Sequence, residues 1–205
     1  MIAVVDYGRG NLGSVEKAFG RVGMDARVTH DPRVLDDAEA CVLPGDGAFH
    51  DAMQNLDRRG LLEPLRRALD GQRPFLGICL GYQLLFSESE EFGQGKGLCV
   101  VDGLVRRFPT GPKVPHMGWN RVWHGDDLPL FTGIPSGAHF YFVHSYYPEV
   151  AERSVAVATC EYGLSFAAAI GRGLIFGTQF HPEKSQQWGI RLLENFAALV
   201  KDARS

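Results

Sequence analysis

No apolar run in this chain of 205 residues approaches the roughly 18 residues that cross a bilayer, and no positively charged leader precedes one in the opening MIAVVDYG. A soluble, cytoplasmic protein with no membrane association is the expectation. Cysteine is scarce: Cys41, Cys79, Cys99 and Cys160 stand far apart, with no C-x-x-C pair, which excludes a disulfide scaffold and a cysteine-based zinc knuckle. Neither sign of charge dominates, with 21 Lys and Arg against 24 Asp and Glu scattered along the chain, so no basic stripe points to nucleic acid. There is no internal repeat, low-complexity tract or linker, and the length suits one domain over residues 1–205.

Glycine, by contrast, is abundant at 25 residues. Gly8, Gly10 and Gly13 in VVDYGRGNLGSV have the G-x-G-x-x-G spacing that lets a strand-to-helix turn approach a pyrophosphate, and Asp31 lies near the distance at which an acidic residue would bind a ribose. Asp6 and Tyr7 count against a dinucleotide site. The strand should run directly into its first glycine, and a carboxylate there would face a diphosphate.

The first half alternates short apolar runs with helical spacing: IAVV, a helix over about 12–22, ARVT, CVLP, helices over about 48–69, FLGI and a helix from about 80. That order predicts an α/β fold, an open, mostly parallel central sheet with helices on both faces. Beyond Phe92, short strand-like runs (LVRRF, RVWH, HFYFVHSYY, SVAVATC, LSFAAAI and LIFGTQF) predict antiparallel strand additions in the second half and a return to the main sheet. Trp188, Leu192, Phe196 and Leu199 give a closing helix one apolar face.

Three stretches carry chemistry. In PFLGICLGYQLLF, Cys79 sits in G-x-C-x-G between a predicted strand and a predicted helix, the thiol counterpart of a nucleophile elbow. Gly77 and Gly81 leave room for a tight turn, the helix dipole favours thiolate, and the Leu80 N–H faces a developing oxyanion. The competing reading is a buried cysteine packed between two glycines; Cys41 and Cys160, in strand-like runs, are read that way. In FGTQFHPEKS, Pro182 disfavours helix at His181, and an extended segment would project His181 and Glu183 to one side. Glu183 would then orient an imidazole whose other nitrogen faces Cys79; a surface turn with incidental charges is the alternative. In LPGDGAF, the N–H groups of Gly45, Asp46 and Gly47 either complete an oxyanion hole or belong to an ordinary strand-to-helix loop. All three stretches follow predicted strands, at the edge where open α/β sheets keep their sites.

His116, His139 and His144, in KVPHMGWN and HFYFVHSYY, lack the spacing of known metal motifs, so no metal is expected. The aromatics there are read as filling a strand face, with Trp119, Ser145 and Tyr146 left for a pocket or a partner surface.

Taken in order, PGDGAF, GICLGYQ and HPE resemble the triad-type glutamine amidotransferases. DYGRGNLGSV, KVPHMGWN, FYFVHSYY and QFHPEKS narrow the similarity to the glutaminase subunits of imidazole glycerol phosphate synthases, from Ile2 to about Val200. The resemblance implies Cys79 as nucleophile, His181 as base and acid, and Glu183 as orienter. It implies an oxyanion hole from Gly45, Asp46, Gly47 and the Leu80 N–H, and places Gln83, Ser145 and Tyr146 at the amino-acid end of L-glutamine. Asn11, Trp119, Tyr141 and Lys184 would face a cyclase subunit in a heterodimer, with the N-terminal glycine turn a structural and partner-facing loop. No metal or organic cofactor is implied. The ammonia would serve formation of imidazole glycerol phosphate and aminoimidazole carboxamide ribotide in histidine biosynthesis. Glutaminases serving another synthase, and γ-glutamyl hydrolases, share the triad type. Two residues depart from the family's pattern: Asp46 puts a carboxylate where a small apolar residue is frequent, close to a developing oxyanion, and Tyr82 replaces a frequent Met, which should alter packing alone.

Overall fold

The computed structural model describes residues 1–70, 73–126, 128–152 and 155–203. Ser154, at the head of the SVAVATC run, and Arg204, at the end of the closing helical stretch, lie outside them. The strands β1 (Ile2–Val5), β2 (Ala26–Thr29), β3 (Ala40–Leu43) and β4 (Phe75–Ile78) pair in parallel in the spatial order β2-β1-β3-β4. Then β5 (Phe86–Ser89), β6 (Gly95–Lys96) and β7 (Val101–Arg107) leave this sheet, and β8 (His116–Val122) pairs with β9 (Ala138–His144) as an antiparallel ribbon. With β10 (Tyr146–Val150), the departing strands form a second sheet ordered β10-β7-β5-β6. The chain returns through β11 (Ala156–Glu161), β12 (Ser165–Arg172) and β13 (Ile175–Thr178): β13 lies parallel beside β4, and β12 and β11 extend the seven-stranded sheet antiparallel.

Alternation along the central strands divides the core between the two faces. Ile2, Val4, Val42, Leu76 and Ile78 pack with Val15 and Phe19 of α1 (Leu12–Arg21) and with Leu192, Leu193 and Phe196 of the closing helix (Gln186–Asp202). Phe19 and Phe196 meet edge to face at 6.0 Å. Ala3, Val5, Cys41, Leu43 and Phe75 pack the other way, against Leu35 of α2 (Pro32–Asp37), Ala52 and Leu56 of α3 (Phe49–Arg58) and Leu65 of α4 (Leu62–Asp70). β4 lies between β3 and β13, so residues 44–47, Cys79 and residues 179–181 leave the carboxyl ends of three adjacent strands.

The helix predicted from about 80 is a single turn, α5 (Leu80–Gln83). The carbonyls that would carry it further are engaged elsewhere: Leu84 O accepts from Leu98 N at 2.8 Å, and Leu85 O from Val100 N and Val101 N at 2.8 and 3.1 Å. The chain therefore turns into β5, and the dipole expected at Cys79 shrinks to the N–H groups of one turn.

Gly8 and Gly10 have φ of 88° and 100°, and Asp6 Oδ1 accepts from Gly8 N at 2.8 Å, so the N-terminal turn is filled by its own carboxylate. Gly13 is exposed in the first turn of α1, where an added Cβ would meet nothing of the described residues within 4 Å. The third glycine of a dinucleotide cradle exists for close helix–strand packing, and Gly13 has no such duty. A Cβ on Gly81, by contrast, would stand 1.7 Å from the Leu43 carbonyl. Gly13→Ala is expected to keep or raise stability, by up to about 1 kcal/mol, and Gly81→Ala to lower it by about 1–3 kcal/mol or more; urea-unfolding midpoints compare the two.

Candidate active site

Cys79 leaves four buried strand residues at φ 55° and ψ −109°, a conformation that residues with a side chain rarely adopt. The flanking glycines permit the turn, since a Cβ on Gly77 would be 2.7 Å from Gly81 O. The Cys79 N–H donates to Thr178 O at 2.8 Å, tying the turn to β13. Gln179 Nε2 donates to the sulfur at 3.9 Å, and the Val143 carbonyl lies 3.9 Å from it.

His181 lies just past β13, and its N–H donates to Tyr141 O at 3.0 Å. It is extended, as Pro182 requires, but the next three residues form a 3-10 turn, Pro182–Lys184. The contact with Glu183 therefore arises as that turn folds back, not from two side chains sharing one side of an extended segment. Nδ1 of His181 and Oε1 of Glu183 are 2.8 Å apart, with the carboxylate almost wholly buried. Ser185 braces the turn: its hydroxyl donates to His181 O at 2.6 Å and accepts from Tyr141 N at 3.0 Å.

Burial alone would hold the imidazole neutral. The electrostatic influence of Cys79, with the hydrogen bond and charge of Glu183, outweighs burial and raises the His181 pKa from 6.5 to about 10, while Nε2 itself has no hydrogen-bond partner among the described residues. The array thus favours the protonated imidazole, held at Nδ1 by the Glu183 carboxylate.

Cys79, His181 and Glu183 open onto a cavity of about 450 Å³ whose wall also includes Gly45, Asp46, Gly47, Leu80, Gln83, Ser145 and Tyr146. Asn11 and Lys184 border it as well. The Asp46 carboxylate is held by the N-terminal turn, where Gly10 N–H donates to Oδ1 at 3.1 Å. Gln83 is buried, and its Nε2 donates to Tyr146 O and to Gln179 Oε1, both at 2.9 Å. Tyr82, besides packing, donates its hydroxyl to Ala167 O at 3.1 Å. Trp119 and Tyr141 lie outside the cavity as cross-strand partners on the β8–β9 ribbon, with ring centroids 6.1 Å apart and Lys184 Nζ 5.9 Å over the Tyr141 ring.

The histidines of the ribbon form a hydrogen-bonded chain. Tyr146 O can only accept, so His144 Nδ1 donates to it at 2.8 Å, leaving Nε2 to accept from His116 Nδ1 at 2.9 Å. His116 Nε2 then accepts from the Asn120 amide at 3.2 Å. Burial pushes His144 down to about 3 and His116 down to about 4, keeping both neutral. His139 is exposed, and among the described residues no group of three His, Cys, Asp or Glu side chains is placed to hold a metal.

The model of the family described as glutamine amidotransferase class-I matches residues 3–200. This chain belongs to that family. The amidotransferase is 53% identical to the imidazole glycerol phosphate synthase subunit HisH of Syntrophotalea carbinolica, covering 96% of this chain and 98% of that one. It is 54% identical to the subunit of the same name from Moorella thermoacetica, with 98% and 96% covered. A solved glutamine amidotransferase structure superposes with a TM-score of 0.76 at 19% identity, covering 98% of this chain and 100% of that one. PurLQS of Thermotoga maritima gives 0.74 at 18%, covering 100% and 98%. At such identities the structures share the fold.

Three residues around the amidotransferase cavity escaped the sequence reading. Glu91 lines it and accepts from Phe49 N at 2.7 Å, and burial raises its carboxyl pKa. Gln179 and Ser185 serve the sulfur and the histidine turn, yet nothing in a lone Gln or Ser beside HPEK marks them. Because the folded-state pKa of His181 stands above 6.5, the stabilisation from this group is complete below about pH 6.5 and is lost as pH rises through about 10. Cys79→Ala removes the electrostatic influence of the sulfur on the imidazole. The NMR titration of His181 is then expected to fall back toward the ordinary histidine range, and the variant to lose less stability than the parent from about pH 7 to 10; an unchanged titration would contradict the coupling.

Proposed function

We propose that this chain is the glutamine-hydrolysing subunit of an imidazole glycerol phosphate synthase. In this reading it is one amidotransferase domain over residues 1–205, working in the cytoplasm as a heterodimer with a cyclase subunit. The observation that carries the reaction is the Cys79, His181 and Glu183 array at the edge of one cavity; relatives more than half identical along nearly the whole chain support the choice of synthase.

The Cys79 thiolate attacks the side-chain amide carbon of L-glutamine, and the N–H groups of residues 45–47 and Leu80 hold the resulting oxyanion. The oxyanion collapses as the C–N bond breaks, and the His181 imidazolium gives its proton to the leaving nitrogen, releasing ammonia and a γ-glutamyl thioester. The now neutral His181 takes a proton from water, which attacks the thioester carbon, expels the thiolate and yields glutamate. Glu183 keeps the imidazole in one orientation throughout. Gln83 acts by holding the Tyr146 carbonyl, so that Ser145 and Tyr146 can meet the amino-acid end of the substrate. With its carboxylate on Gly10 N–H, Asp46 is compatible with an oxyanion nearby, its own N–H remaining a donor.

Asn11, Trp119, Tyr141 and Lys184 are assigned to the cyclase interface, with ammonia passing across it. Cys79→Ala is expected to abolish glutamine-dependent synthesis by the complex and to leave ammonia-dependent synthesis intact; loss of both would give Cys79 a structural role. Glutamine turnover by the isolated chain is expected to rise when the cyclase and a ligand of its active site are added, since a glycine-flanked loop samples unproductive orientations until a partner shifts the population. Equal turnover with and without the partner would contradict this.

A further inference from the structure

Tyr7, the second residue past β1, is completely buried, and its hydroxyl has no hydrogen-bond partner among the described residues. A buried hydroxyl left unpaired costs about 1–3 kcal/mol, whereas Phe would fill the same space without that cost. The position of the oxygen suggests what it is for. It lies in the seam between the oxyanion loop and the elbow: a Cβ on Gly45 would be 2.1 Å from it, and 3.0 and 3.3 Å from Leu80 Cβ and Gly81 N. It is also near enough to Asp46 and Cys79 to feel both electrostatically. Tyr7 is not part of the cavity wall.

The N–H and C=O of a peptide unit point opposite ways. When a loop N–H turns toward the oxyanion, the carbonyl of the same unit turns out of the cavity and into the protein, the side on which the unpaired hydroxyl lies. We propose that Tyr7 is a positioning residue whose hydroxyl donates to a backbone carbonyl of the Pro44–Gly45 segment when the loop presents its N–H groups to the oxyanion. The hydroxyl thereby holds the productive orientation. Its position also explains why residue 45 carries no side chain, since a Cβ would displace that oxygen. The inference rests on the amidotransferase reading above and adds to it a residue that acts through the loop.

The test is Tyr7→Phe in the complex with the cyclase subunit and its ligand, reading kcat and KM for glutamine together with thermal unfolding of the variant. The expected result is a kcat lower by on the order of 10-fold, less than loss of an oxyanion donor itself, with KM changed by less than about twofold. The melting temperature is expected to stay level or rise, because an unpaired hydroxyl has gone. A kcat at the parent level overturns the proposal, as does a loss of turnover that follows a lowered melting temperature. A parent complex that makes its product from ammonia yet never hydrolyses glutamine overturns the underlying reading itself.

Discussion

Close approach of backbone to backbone is the constraint on which this site depends. The elbow can turn beneath the sheet edge because Gly81 lets its backbone come within side-chain distance of the Leu43 carbonyl. The same device recurs on the histidine side, where a Cβ on Gly189 of the closing helix would stand 1.9 Å from Pro182 O. The sulfur and the imidazole are thus each fixed by a contact too tight for any larger residue. Neighbouring strands β3, β4 and β13 then set their spacing, so that adjacent parallel strands bring together groups about a hundred residues apart in sequence.

Electrostatics completes what packing begins. His181 and Glu183 are buried, and a charged imidazole there would be costly without anionic neighbours. Glu183 supplies one within hydrogen-bond distance of Nδ1, and Cys79 acts on the ring in the same sense, so the fold stabilises the charged form of His181. The ribbon histidines show the opposite outcome. Among the described residues no carboxylate acts on His116 or His144, and burial leaves them neutral, suited to a fixed chain of hydrogen bonds ending on Tyr146 O.

Much of the fold was legible because the signals are local. IAVV, CVLP and FLGI are short apolar runs bounded by turn signals, which read as strands buried on both faces, and the spacing of Leu192 and Phe196 specifies an amphipathic helix. The elbow was legible because glycines two residues either side of a cysteine have few other uses. What escaped depends on partners distant in sequence. The helix after Cys79 stops at one turn because residues 98–101 capture its carbonyls, and no pattern within LGYQLLF announces that. The fold-back of Glu183 depends on a 3-10 turn held by Ser185, and Glu91 enters the cavity from the turn between β5 and β6. Gly8, Gly10 and Gly13 match a cofactor pattern by spacing, yet two serve a left-handed turn and the third serves no packing at all.

The most direct measurement is alkylation by a glutamine analogue that carries a diazoketone at the position of the side-chain amide, followed by peptide mass mapping. One equivalent is expected to attach to Cys79, glutamine should protect against it, and Cys41, Cys99 and Cys160 should remain unmodified. Attachment to another cysteine, or labelling of Cys79 that glutamine does not slow, would contradict a nucleophilic sulfur at the floor of a glutamine site.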